Sequence, residues 1–219
     1  MSRMVVALAG VLCLAGCFQT VRMRPDAAAW RNGVRTVAIV PSVHVYEVSA
    51  GEVREQKEQW TAQAEKNVTD ALGSQFRERG LRVKVLKARG DEELDDVKLL
   101  YEAVGVSIRQ FAYPPFASPY KVEHFDYSVG PVDRILDRAG ADVLLIAHAR
   151  DSNSTTARKL TSFLRAANEY AIVTLGLVDR RGRVVWFDLW GGRSLDLRNE
   201  PDVRQIVQHL LANLPETAK

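Results

Sequence analysis

Asp142-Val-Leu-Leu-Ile-Ala147 narrows the choice of fold more than any other segment of this chain. It is an unbroken apolar run of strand length, and it reads as a buried strand. The other elements are placed around it. Thr36-Val-Ala-Ile-Val-Pro-Ser-Val43 is a second β-branched run, with Pro41 near its end and a loop over 44–51. A helix is expected from about Glu52 to Arg79, with the stripe Val53, Trp60, Ala64, Val68, Leu72 and Phe76. Gly80 sits where a left-handed cap belongs, and Leu81 to Leu86 alternates as a strand. Asp91 can cap the next helix, whose first turns carry Glu92, Glu93, Asp95 and Asp96. Its stripe runs through Leu94, Val97, Tyr101, Val104, Ile108 and Phe111. Gly105 weakens it by ~1 kcal/mol without ending it.

Pro114, Pro115 and Pro119 break the pattern over 112–128. A short helix follows from Pro131 to Ala139, with Gly140 behind it. Residues 151–168 start polar, then Leu160, Phe163 and Leu164 suggest a short amphipathic helix. Tyr170 to Val178 and Arg183 to Leu189 are strands joined by the Asp179–Gly182 turn. The last helix starts near Asn199 to Asp202, buries Val203, Ile206, Val207, Leu210, Leu211 and Leu214, and ends at Pro215. The order β-α-β-α-α-β-β-β-α predicts an α/β (α+β) domain: a mixed sheet of about five strands with helices packed on it.

The chain has 219 residues, 47% hydrophobic and 26% charged, which rules against collagen-like, coiled-coil and fully disordered chains. A net charge of +3 from 30 basic and 27 acidic residues lacks the excess that phosphate neutralisation uses, so no nucleic-acid partner is expected. Cys13 and Cys17 are the only cysteines, which excludes a disulfide framework and a thiolate zinc site.

Both cysteines lie in an address segment. Arg3 precedes the apolar run Met4 to Leu14, and the small residues Ala15 and Gly16 follow, as in a secretory signal. The run is shorter than the ~20 residues that span a bilayer. Leu14-Ala15-Gly16-Cys17 resembles the bacterial lipobox. The resemblance implies cleavage between Gly16 and Cys17 and diacylation of the Cys17 thiol. Phe18 in place of Asp implies the outer membrane by the sorting rule of such lipoproteins. The expected organisation is a signal peptide over 1–16, a lipidated tether over 17–33, one α/β domain over 34–215 and a tail over 216–219. The mature chain would hold no unmodified cysteine.

Val37-Ala-Ile-Val-Pro41, Ala139-Gly-Ala-Asp-Val-Leu-Leu-Ile146 and Leu175-Gly-Leu-Val-Asp-Arg-Arg-Gly-Arg-Val-Val-Trp186 occur in this order. The succession, over about 34–215, resembles the group of bacterial periplasmic lipoproteins that contains the curli secretion lipoprotein CsgG, the penicillin-binding-protein activator LpoB and the amino-terminal domain of TolB. Ser42 and Val43 depart from the usual Phe and Asn, and residues 151–168 are too short and polar for the curli channel's membrane hairpin. The resemblance implies an assembly, scaffolding or regulatory role in the envelope, without catalysis or cofactor. The domain would lie at the periplasmic face of the outer membrane and bind an envelope protein. Ring-forming subunit of a secretion or polysaccharide-export apparatus and cell-wall hydrolase are the alternatives, the first implying a homo-oligomer.

The candidate contact residues are Phe111, Tyr113, Phe116, Tyr120, Phe125 and Tyr127, six of the chain's 17 aromatics in one segment. Aromatics anchor interfaces, but they also serve as core. Trp186, Asp188 and Trp190 share one strand face. They form a partner surface if that face is open, or core if helices cover both faces and Asp188 pairs with a buried Arg. Glu123, His124, Asp126 and Asp133 lack any fixed metal-site spacing, so no metal is expected. His44, His148 and His209 are scattered, and His148 shares a face with Leu144 and Ile146. No GxSxG elbow or Gly-rich phosphate loop occurs.

Overall fold

The computed structural model describes residues 21–87, 90–156, 158, 170–193 and 195–215. The lipobox-like and expected signal segments, the expected helix around Leu160–Leu164 and the expected tail lie outside them. The domain is mixed α/β: among the described residues, one seven-stranded sheet carries helices on both faces. The strands are β1 (Arg22–Met23), β2 (Thr36–Val48), β3 (Arg54–Gln56), β4 (Arg82–Val85), β5 (Val143–Ser154), β6 (Tyr170–Val178) and β7 (Val184–Gly192). The helices are α1 (Glu58–Glu78), α2 (Glu92–Phe111), α3 (Pro119–Glu123), α4 (Asp133–Ala139) and α5 (Glu200–Leu211).

The sheet runs β1-β7-β6-β5-β2-β3, with β4 beside β2. β2 and β5 pair in parallel from Val37↔Val143 to Val48↔Ser154. β4 is parallel to the first half of β2, while β3 turns back antiparallel on its second half. β5, β6 and β7 form an antiparallel meander.

Alternation along the central strands sorts their side chains between two cores. Val37, Ile39, Val43 and Val45 meet Val143, Leu145, Ala147 and Ala149 under α1 and α5, with Val68, Leu72 and Phe76 of α1 and Ile206, Val207 and Leu210 of α5. Ala38, Val40, Leu144 and Ile146 meet Leu94, Val97, Tyr101 and Ile108 of α2 and Ile135 and Leu136 of α4. The apolar runs of β2 and β5 are unbroken because both faces are covered. α2 starts where its sequence predicts: the Asp91 carboxylate accepts from Leu94 N at 3.1 Å. Gly140, at φ 59°, closes α4 in the left-handed region.

Several boundaries differ from expectation. β2 runs on to Val48 through the expected loop, because Val43 and Val45 keep facing the core while His44 and Tyr46 point the other way. β5 likewise extends into the polar stretch to Ser154. α1 begins at Glu58 rather than Glu52, because 54–56 pair with β2, and Val53 is exposed. The short β1 and β3 raise the strand count to seven. Much of the expected tether is part of the fold: Arg22 and Met23 pair with β7, Ala27–Arg31 form a 3₁₀ turn, and Val21 and Ala27 are buried.

The Trp face is closed. Trp186 is wholly buried and donates from Nε1 to Asn213 O at 3.3 Å. Trp190 is half-buried against the α1–α5 core. Asp188, also fully buried, accepts from Asn213 Nδ2 at 3.0 Å and from Leu189 N at 2.8 Å. Trp186 and Trp190 are therefore no open partner surface, because helices occupy that face.

On the other face, Tyr101 packs against the bare backbone of Gly176, where a Cβ would stand 2.4 Å from Tyr101 Cε2. Gly176→Ala is expected to cost about 1–3 kcal/mol by overpacking. Gly51→Ala, whose nearest neighbour would be Ser49 Oγ at 3.9 Å, should stay within about 0.5 kcal/mol. Denaturant unfolding of both variants measures the contrast.

Candidate interaction surface

α2 ends at Phe111 because Pro114 and Pro115 cannot continue it. The chain turns through a cis Pro114–Pro115 peptide, and Ser118 N donates back to Phe111 O at 2.7 Å. Pro119 starts α3, which ends at Glu123. Residues Phe125, Tyr127 and Val129 then alternate into the α2 core, and Ser128 bridges to Arg183. Both ends of this excursion are held by β1 and the residue after it. Arg22 Nε donates to Ala112 O at 2.7 Å, and Arg24 Nη1 donates to Phe125 O at 3.2 Å.

The six aromatics divide evenly. Tyr113, Phe125 and Tyr127 are buried. Tyr113 meets Phe187 edge-on at 6.3 Å and carries the Arg22 guanidinium 4.5 Å above its ring. Burial pushes its phenol well above the usual range. Phe125 and Tyr127 pack at 5.2 Å. By contrast Phe111, Phe116 and Tyr120 are exposed, Phe116 by 74% and Tyr120 by 58%, with Val122 exposed beside them. Tyr120 stacks on His124 at 4.4 Å. Lys121 binds Asp126 at 2.7 Å and stands 5.1 Å from the Tyr127 ring. The Lys121 ammonium holds the Asp126 carboxyl below its ordinary range. The loop is therefore pinned by three aromatics and presents three others to solvent.

A second cluster joins residues that the sequence left scattered. His44 on β2 and His148 on β5 are 6.1 Å apart, on the α2 side of the sheet. His148 Nε2 lies 4.0 Å from Glu102 Oε1 of α2. The sequence placed His148 on the face of Leu144 and Ile146, where it is found. It could not bring in His44, because it ended the first strand at Val43. Burial, countered by Glu102 and reinforced by His44, Arg109 and Arg150, lowers the His148 pKa from 6.5 to about 4. It is a neutral imidazole at pH 7, with no partner for its Nδ1. Glu123, His124, Asp126 and Asp133 do not converge. Among the described residues no group of three or more His, Cys, Asp or Glu could hold a metal ion, and no helix is long and apolar enough to cross a membrane.

No protein-family model matches the chain, and no curated protein matches it significantly. Among solved structures it is similar to a PelC dodecamer from Paraburkholderia phytofirmans, at 16% identity and a TM-score of 0.45, over 91% of this chain and 99% of that one. A single-substitution variant of that PelC dodecamer matches at 15% identity and a TM-score of 0.41, over 90% and 97%. Neither score transfers a function.

The two halves of the loop should respond differently to truncation. Phe125→Ala is expected to cost about 3–5 kcal/mol. Phe116→Ala should stay within about 0.5 kcal/mol. Thermal unfolding distinguishes them. For His148 the folded pKa lies below the unfolded one, so between them the unfolded chain binds the extra proton. The contribution of His148 to stability is fully present above pH 6.5 and is lost, by on the order of 3 kcal/mol, as pH falls to about 4. Denaturant titrations at pH 7 and pH 4.5 should show the decline, and His148→Gln should flatten it.

Proposed function

We propose that this chain is a non-enzymatic lipoprotein of the bacterial envelope. An acylated Cys17 holds it at the periplasmic face of the outer membrane, and its α/β domain binds and helps assemble or regulate an envelope protein complex. One observation carries the reading. The lipobox-like Leu14-Ala15-Gly16-Cys17 closes a short apolar run, and Val21, the first buried residue among those described, follows four positions later. One acyl chain binds membranes only marginally, whereas two or three hold firmly. Such an anchor raises the effective concentration of the domain towards any partner in the same membrane. The resemblance of the strand sequences to the CsgG, LpoB and TolB group supports an assembly or regulatory role.

A second reading, a ring-forming subunit of an export apparatus, is favoured by the outer face of α2. Leu99, Leu100 and Val106 are exposed there, with Leu99 at 67%. A ring closes through contacts between two different patches, and an apolar helix stripe could supply one of them. Light scattering of the solubilised protein decides: a closed oligomer that Leu99→Glu dissociates supports the ring, and a strict monomer removes it.

Metabolic palmitate labelling tests the main reading. The wild-type chain should incorporate label and Cys17→Ser should not. An unlabelled wild-type chain sinks the proposal. Crosslinking in intact cells should then capture a specific envelope protein.

A further inference from the structure

We infer that the exposed face of the 111–122 segment rests on the lipid surface to which Cys17 is anchored, as an aromatic contact that fixes how the domain stands on the membrane. The inference rests on the lipoprotein reading and adds to it a defined orientation.

Three observations lead there. The first is reach. Arg22 follows Cys17 by five positions, so the two lie within about 18 Å along a fully extended chain. The second is connection. Arg22 and Arg24, beside the anchor in sequence, grip the loop at Ala112 and Phe125 through hydrogen bonds of 2.7 and 3.2 Å. Arg22 also stacks over Tyr113 at 4.5 Å. The anchored strand and the aromatic loop are thus one unit, and Phe116 is at most four residues, or about 14 Å, from the grip at Ala112. The third is chemistry. Phe111, Phe116, Tyr120 and Val122 are large and exposed, although Tyr113 and the following Phe125 and Tyr127 already fill the core beneath. Tyr120, His124 and Lys121 add amphipathic rings and a cation on an apolar stem, the side chains that settle at the boundary between headgroups and acyl chains.

A protein partner is the rival occupant of this surface. The lipid surface is favoured because the loop's attachment leads to the anchor. No such link ties the loop to a protein partner.

The test uses the full acylated chain carrying Phe116→Trp. Phe116 is the most exposed of the loop aromatics, so the substitution leaves the fold intact. The protein is reconstituted into phosphatidylethanolamine and phosphatidylcholine vesicles, with and without bromine on the upper acyl carbons. Mass measurement of the amino-terminal peptide establishes acylation. The emission contributed by position 116, taken as the difference from the parent, should shift to the blue in vesicles and lose most of its intensity with brominated lipid. If the acylated protein sediments with vesicles but that emission stays unshifted and unquenched, the loop is off the membrane and the inference fails, while the anchor stands. An unacylated Cys17 removes both. In intact cells, a photocrosslinker in place of Phe116 should yield no protein adduct. A specific polypeptide adduct would overturn the inference in favour of a protein partner.

Discussion

The parallel pairing of β2 with β5 is the constraint that the rest of the structure obeys. Twelve register pairs lie side by side, from Val37↔Val143 to Val48↔Ser154. In their first half the side chains are apolar on both faces, and such strands are stable only between two covered layers. One cover is α1 with α5, the other α2 with α4 and the 111–129 segment. In their second half the α2-facing side turns polar, with Ser42, His44, Tyr46, His148 and Arg150 in place of Val and Leu. The change comes beyond Val40 and Ile146, and there the buried His148 stays neutral because no cation-stabilising group fully offsets its desolvation.

A long central pair also decides where the edges go. β2 can accept β4 along its first half and β3 along its second because it outruns either. β7 lies towards the far edge, and it is blunted by the two residues of β1. Edge capping by this short segment is a device against open-edge pairing. It also carries residues 22–24 onto the same side as the aromatic loop, since Arg22 and Arg24 bond to the loop while their strand bonds to β7.

The elements whose pattern is local were legible in the sequence. Asp91 and the acidic turn behind it mark the start of α2, Gly140 marks the end of α4, and the Asp179–Gly182 turn marks the β6–β7 hairpin. Elements defined by a distant partner were not. Residues 44–48 look like a loop because His44, Tyr46 and Glu47 are polar, and only pairing with 150–154 makes them strand. Arg22–Met23 carries no strand signal in two residues, and it exists because β7 offers an edge. The aromatic segment could be located but not divided. Tyr113 and Phe116 both read as aromatic anchors in a sequence, and which one is buried depends on Phe187 and Arg22, which are remote in the chain. The Trp186–Trp190 face was open to two readings for the same reason, and α5 with Asn213 closes it.

Burial of Val21, four positions after Cys17, changes what an anchor at Cys17 would do. A free tether over 17–33 would be a flexible coil with a root-mean-square span of about 20–25 Å, which confines a domain near a membrane without orienting it. A domain already packed at Val21 leaves too few residues for such averaging. Anchored at Cys17 as we propose, the domain would present a definite side to the bilayer, and that side would include β1 and what β1 holds. On that reading, a protein partner in the same membrane would meet a surface away from β1. The outer face of α2 exposes Leu99, Leu100 and Val106, and an anchor of the proposed kind would raise the effective concentration of that face towards a partner.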